Sequence, residues 1–328
     1  MDVRFSPEQQ ALSDSVVQVV ERLGPKSVGQ LAESERSATL DAAVHASGWR
    51  DLRAPTPTGE PWASGVEAAI VAEELACGVG DAPFLGPTLA AELRRLAGAP
   101  AAMAPETVAL TADLGALGGA IAIDAGGAVA AVAMREGTLL EVAVGDHLPL
   151  VDLTRPSAAI GTDGAAIGVL SADDVVRWSA LGLALTCADL VGTMRGALEL
   201  CTTYAKDRAQ YGVPIGSFQA VQHLLADALV ATEGSRSITL HAAWAVDALR
   251  PAEALAAAAA AKAYCSRAAL TVCETAIQVH GGIGNTWECM AHVFARRALL
   301  SIDVLGGVGP NLRRVLAHHG IGAGDGVR

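Results

Sequence analysis

Apolar residues recur at three- and four-residue spacing from Pro7 to about Arg95, the period that lays one face of an α-helix against a core. Ser6 before Pro7-Glu8-Gln9-Gln10 reads as an N-cap, and acidic Glu8 suits the positive end of the helix dipole. The pattern predicts a helical first domain over 1–105, ending in the Pro/Ala-rich link from Gly98 to Pro105. From Thr107 to about Arg177 the period changes to short apolar runs, Ala120 to Ile123 and Ala128 to Met134, broken by Gly126-Gly127 and Glu136-Gly137. That predicts a small β domain over 106–178, antiparallel in character. The helical period returns from Ser179 to Ala317, with breaks at Tyr211 to Ser217, at Arg250-Pro251, at Gly281-Gly282 and from Gly306-Gly307 through Pro310. A C-terminal four-helix bundle over 179–319 is predicted, followed by a Gly-rich, frayed tail at 320–328. The fold class expected is α+β, in helix–sheet–helix order.

Composition narrows the function classes. With 328 residues, 52% apolar and 18% charged, the chain can bury a large core. The net charge of −12 and the lack of a basic stripe argue against a nucleic-acid surface, which needs clustered Lys and Arg. Met1 to Glu8 contains no apolar leader-like run, and the Ala-rich stretches carry charges too often to span a bilayer; a cytoplasmic protein without a membrane partner is expected. Cys77, Cys187, Cys201, Cys265, Cys273 and Cys289 show no C-x-x-C spacing, which fits reduced thiols and no metal site. His280 and His292 lack a second ligand at metal spacing, so packing or hydrogen bonding is the expected role of both. Trp178, Trp244 and Trp287 are expected in the core or an interface. Ala252 to Ala263 reads as a close-packed helix with no chemistry of its own.

Two segments carry chemistry. In Arg208-Ala-Gln-Tyr-Gly-Val-Pro-Ile-Gly-Ser-Phe218-Gln219 an arginine and an aromatic precede a tight Gly/Pro turn and a helix, which describes an anion-binding corner. In Gln278-Val-His-Gly-Gly-Ile-Gly284 small residues let backbone N–H groups approach a ligand. The pair, with Tyr204, Lys206 and Asp207 leading in and Arg296-Arg297 beyond, resembles the C-terminal half of the acyl-CoA dehydrogenase family. Ala68 to Leu75 and Pro83 to Leu93 resemble the end of that family's N-terminal helical bundle.

The resemblance implies an acyl-CoA dehydrogenase-like fold, FAD as cofactor and α,β-dehydrogenation of an acyl-CoA. In that reaction a carboxylate takes the α-proton on one side of the thioester and the flavin takes the β-hydride on the other. Arg208 would reach the FAD diphosphate of an adjacent subunit, since a guanidinium binds it bidentately. Gln210, Tyr211, Phe218 and Gln219 match the same corner; Gln278, Gly281 and Gly282 match the adenosine and diphosphate loop. Three features depart from the family. Gly306 stands where many members place the catalytic Glu, and Ala180 to Leu185 lacks the carboxylate that other members carry there. The flavin-ring run survives only as fragments in Ala109 to Gly115. These departures resemble the short, non-catalytic subunits of heteromeric acyl-CoA dehydrogenases of bacterial steroid and side-chain degradation. They imply a homologous partner that carries the Glu, an α2β2 assembly and a flavoprotein electron acceptor. Two alternatives stay open. One is a self-sufficient flavoenzyme using Glu288 or Asp303 as an unusual base; the other is a flavin-free structural subunit.

Overall fold

The Ser6 hydroxyl accepts from the Gln9 amide at 3.2 Å, and the Gln9 side chain accepts from the Ser6 N–H at 3.0 Å. This reciprocal cap starts α1 (Pro7–Leu23) where the sequence places it. The computed structural model describes residues 4–149 and 151–322; the readings of Met1 to Val3 and of the tail over 323–328 lie outside the described residues. The first helical region continues with α2 (Ser34–Ala46), α3 (Gly65–Cys77) and α4 (Leu85–Ala97). Helix α3 is buried along most of its length because it lies between α1 and the long helix that follows the sheet.

Five strands come next: β1 (Glu106–Leu110), β2 (Ile121–Ile123), β3 (Ala130–Arg135), β4 (Thr138–His147) and β5 (Ala158–Val169). They close into a barrel in the order β1-β2-β5-β4-β3. The sequence predicts an antiparallel region, but β1 and β3 pair in parallel, with Val108 opposite Val132. An odd number of strands in a closed ring cannot alternate throughout, so one neighbouring pair must run the same way. Alternation by two sets the faces. Ala109, Ala122, Ala131 and Ala133 form one small cluster, while Val108, Leu110, Ile123 and Val132 join the main core shared with the helices. Small side chains suit the narrow interior of a five-stranded barrel. Strands β4 and β5 escape the apolar pattern because Gly145, Gly161, Gly164 and Gly168 interrupt it and much of their length is exposed.

The C-terminal helices begin earlier than the sequence pattern predicts. α5 (Ala172–Asp207) starts seven residues before Ser179, where the Ser171 hydroxyl accepts from Asp174 N–H and the Asp174 carboxylate accepts from Ser171 N–H. Asp173 and Asp174 in its first turn hide this start from a periodicity reading. After a hairpin come α6 (Gln219–Ala248), α7 (Pro251–His280), α8 (Ala291–Asp303) and α9 (Val308–His318). Thus three long and two short helices replace the expected four, because the break at Gly306-Gly307 separates α8 from α9. By length and composition α5 could cross a bilayer, but 78% of its apolar window is buried inside the protein; it is the central helix of the bundle. A Cβ on Gly192 would overlap the Glu73 carbonyl, so glycine is what lets α5 lie directly on α3. The alanines of α7 pack against α5 as expected, and Trp178 is buried with its indole N–H donating to Leu89 O at 3.0 Å. All six cysteines are free.

A buried charge network joins barrel and bundle. Arg297 of α8 donates to Asp189 of α5 at 2.6 and 3.0 Å and to Thr154 Oγ1 at 2.8 Å, and Ser301 donates to Asp189 at 2.6 Å. Arg155, just before β5, lies 3.2 Å from Asp189 and donates to Asp152 at 2.8 Å. Burial opposes the charge of Asp189, yet Arg155 and Arg297 hold it below the usual carboxylate range.

Candidate functional site

Arg208 ends α5: its N–H still donates to Tyr204 O at 2.8 Å while its own backbone turns extended. The chain then forms a two-residue hairpin from β6 (Ala209–Gln210) and β7 (Val213–Pro214), pairing Gln210 with Val213. Tyr211 and Gly212 at its tip have φ of +53° and +81°, the double left-handed geometry of a type I′ turn. Glycine suits its position; an aromatic residue there is unusual and presents its ring outward. Tyr211 is 88% exposed and meets Phe218 edge-on at 6.4 Å. Arg208, Gln210 and Gln219 are exposed as well. Among the described residues the Arg208 guanidinium has no hydrogen-bond or ion-pair partner.

The second segment sits at the end of α7. Gly281 adopts φ 62°, ψ −139° and opens a 3-10 turn over Gly281–Asn285, a conformation close to the region that glycine alone adopts readily. A Cβ added at Gly281 or Gly282 would meet nothing within 4 Å, so both backbones face open space. Gln278 is exposed beside them. His280 is buried, its Nδ1 is 2.7 Å from Ala276 O, and its ring stacks on Tyr204 at 4.4 Å. Tyr204 precedes Arg208 by one helical turn and His280 adjoins Gly281. The stack therefore brings the two motifs, 73 residues apart by number, to one end of the α5–α7 pair. Below it is a cavity of about 470 Å³ lined by Lys26, Cys77, Glu199, Tyr204, His280 and Phe294. His292 Nε2 donates to Trp287 O at 2.9 Å, the hydrogen-bonding role expected of it. Trp287 is 60% exposed, stacked on His292 at 5.0 Å with Arg296 5.8 Å away, so it belongs to the surface and not the core.

The two alternative acids part company. Glu288 is exposed on the turn after Trp287. Asp303 is exposed at the last residue of α8 and lines a hollow of about 510 Å³ with Thr111, Asp113, Gly115, Gly306 and Arg313. The fragmentary ring run and the Gly306 position thus share one hollow. Its inner wall is shut: Leu305 N–H donates to Leu114 O at 2.7 Å, and Arg314 donates to Leu305 O at 2.7 Å and to Gly115 O at 3.2 Å.

For FAD, the residues fit unequally. An unpaired guanidinium, two open glycine backbones and exposed amide side chains at one end suit a diphosphate. At the ring run the hollow's one hydroxyl, that of Thr111, already donates to Asp113 at 2.6 Å, and Asp113 and Asp303 line it with negative charge. Sequence reasoning also missed Lys262, which sits inside the Ala-rich stretch assigned no chemistry. It is fully buried and donates to Ile302 O and Gly306 O, each at 3.2 Å, and to Val304 O. A single lysine closing the alanine run Ala256 to Ala261 is the signal that could have marked it.

Residues 181–319 match the family described as acyl-CoA dehydrogenase, C-terminal domain. The chain is 32% identical over 321 residues to acyl-CoA dehydrogenase IpdE2 of Mycobacterium tuberculosis, covering 94% of this chain and 96% of the relative. Its fold matches the Tcur3481–Tcur3483 steroid ACAD with a TM-score of 0.82 at 20% identity, over 95% of this chain and 98% of the other. It matches the ChsE4–ChsE5 complex from Mycobacterium tuberculosis with a TM-score of 0.77 at 21% identity, over 98% and 99%.

Proposed function

The chain belongs to the acyl-CoA dehydrogenase family, whose cofactor is FAD, and we propose that it is the non-catalytic chain of a heteromeric member. One observation carries this reading: Gly306, where the family resemblance places the base, lies in a loop closed onto the barrel, while the Arg208 guanidinium is exposed and has no partner among the described residues. When bound, FAD supplies the hydride acceptor for α,β-dehydrogenation of an acyl-CoA. Arg208 would hold its diphosphate bidentately, with the Gly282 N–H as a further donor, Gly281 giving close access by its lack of a side chain, and Gln210, Gln219 and Gln278 at the margin. Tyr211 and Phe218 would cover the same edge from outside. No residue of this chain would take the α-proton; the homologous partner's carboxylate would do so.

A partner surface is consistent with the exposed apolar residues Leu224, Leu229 and Val230 of α6 and with Ile283 and Trp287 beside the Gly281 turn, because such side chains on neighbouring elements favour burial. An α2β2 assembly and a flavoprotein electron acceptor complete the reading. The matched Tcur3481–Tcur3483 structure is a steroid ACAD and the ChsE4–ChsE5 structure a two-chain complex, which favours a steroid-type acyl-CoA and a second chain here too. A second reading uses Asp303 as the base, since it alone of the two candidate acids lines the hollow with Gly306. The test is to co-express the chain with a carboxylate-bearing homologue and follow flavin bleaching by a panel of straight-chain and steroid acyl-CoA thioesters. The reading expects bleaching by the complex, none by this chain alone, and loss of bleaching when the partner's carboxylate is neutralised. Full bleaching by this chain alone, lost in Asp303→Asn, would replace it with the second reading.

A further inference from the structure

The segment Asp303 to Gly307 has features that an ordinary connecting loop does not need. Leu305 is buried at 1% exposure although its φ is +59°, and Leu114, which accepts its N–H, has φ +57°. Leucine in the left-handed region is disfavoured and persists only where surrounding contacts over-determine it. Those contacts are visible. A Cβ placed on Gly182 of α5 would overlap the Leu305 side chain and lie 3.7 Å from Leu89 of α4, so Leu305 fills a hollow that glycine leaves in α5. Every carbonyl of the segment accepts a hydrogen bond, that of Asp303 from Gly306 N–H at 2.8 Å. Lys262 takes Ile302, Val304 and Gly306; the Asn311 amide takes Gly306 at 2.6 Å and Gly307 at 3.0 Å; Arg314 takes Leu305.

We propose that this segment is a built-in plug, with Leu305 as the stopper in the Gly182 hollow and Lys262 as the clip that keeps it there, so that no acyl chain passes Gly306 on its inner side, between the segment and α5. The geometry gives the reason. A thioester whose α-carbon is served from position 306 must lie within hydrogen-bond reach of it, and its acyl chain must then pass on one side of the segment. The inner side is occupied by Leu305, Leu89 and the backbone of α5; what remains is the open hollow that Asp303 lines. The plug rests on the reading of this chain as the non-catalytic member and adds to it a physical cause, occlusion in addition to the absent carboxylate. It also separates two effects that a missing base alone would not: restoring an acid at position 306 would leave the inner path closed.

Hydrogen exchange of the full-length chain, followed by mass spectrometry over 302–308, tests the plug. In the unaltered protein its non-helical part, 304–307, exchanges as slowly as α8. Lys262→Met, which keeps length and removes the donors, speeds exchange there at least about tenfold while the middle of α5 is unchanged. Leu305→Ala leaves an apolar hollow at Gly182 that takes up xenon in pressurised crystals, which the unaltered protein does not. Fast exchange over 302–308 in the unaltered protein, or xenon at Gly182 without substitution, overturns the proposal. Should Lys262→Met fail to fold, the unaltered exchange rate and the xenon comparison decide alone. Neither measurement involves FAD or the partner. A slow, xenon-free segment in a protein whose Arg208 variant keeps its flavin would retain the plug and reject the cofactor reading; the opposite pair of results would do the reverse.

Discussion

Replacing Arg208 separates a cofactor contact from a structural one. The guanidinium is exposed, caps nothing with its side chain and has no partner among the described residues, so Arg208→Ala should change folding stability by no more than about 0.5 kcal/mol. A hydrogen bond to a charged group contributes about 1.5–3 kcal/mol, and tenfold in affinity corresponds to about 1.4 kcal/mol. Loss of one such contact with the diphosphate therefore weakens FAD binding by roughly tenfold to a hundredfold or more. Arg208→Lys should recover part of this, because an ammonium keeps the charge but not the bidentate fork. The assay is fluorescence titration of the flavin-stripped complex with FAD, beside urea unfolding of the same variants. Unchanged FAD affinity in Arg208→Ala refutes the assignment. So does an affinity loss matched by an equal loss of stability, since the side chain would then have been supporting the corner and not the ligand.

Gly281→Ala places a side chain at φ 62°, ψ −139° and should cost about 1–3 kcal/mol of stability through backbone strain, with FAD retention falling further than the urea midpoint alone explains. Arg297→Met removes one partner of Asp189 and leaves a buried carboxylate with less compensation, so unfolding in urea should come about 3–5 kcal/mol sooner, and Asp189→Asn should restore part of it. Glu288→Gln and Asp303→Asn should each leave turnover of the assembled complex within a few-fold, against the roughly 10²–10⁴-fold expected of a general base. Burial lowers Lys262 from 10.5 to about 8, with Cys187 of α5, Cys265 of α7 and Asp303 of α8 favouring its charge and Arg314 of α9 opposing it. Between those values the unfolded chain binds a proton that the folded chain does not, so stability due to this group rises with pH across that window, by at most about 3 kcal/mol. Comparison of unfolding free energies at pH 7.5 and 10, expressed as the difference between the unaltered chain and Lys262→Met, isolates it; a difference that falls with pH contradicts the burial argument.

Much of this protein is written locally. The cap at Ser6, the stop at Gly281, the breaks at Arg250-Pro251 and Gly306-Gly307, and the close-packed alanines of α7 all depend on contacts within a few residues, and each is legible in the chain. The hairpin after Arg208 and the turn at Gly281 are legible too as local conformations, because residue type and order within one turn set them. What only the tertiary structure decided are pairings across long sequence separations. The parallel closure of β1 on β3 follows from ring parity, which no single strand encodes. The early start of α5 is masked by polar residues that are exposed in its first turn. The convergence of the two motifs depends on Tyr204 meeting His280, and the closed loop on Lys262 reaching carbonyls some forty residues away and Leu305 reaching Leu114 in the barrel. Periodicity reports which face of an element is apolar; it cannot report which other face will cover it, and that choice is made by shape and by the pairing of buried polar groups once the elements meet.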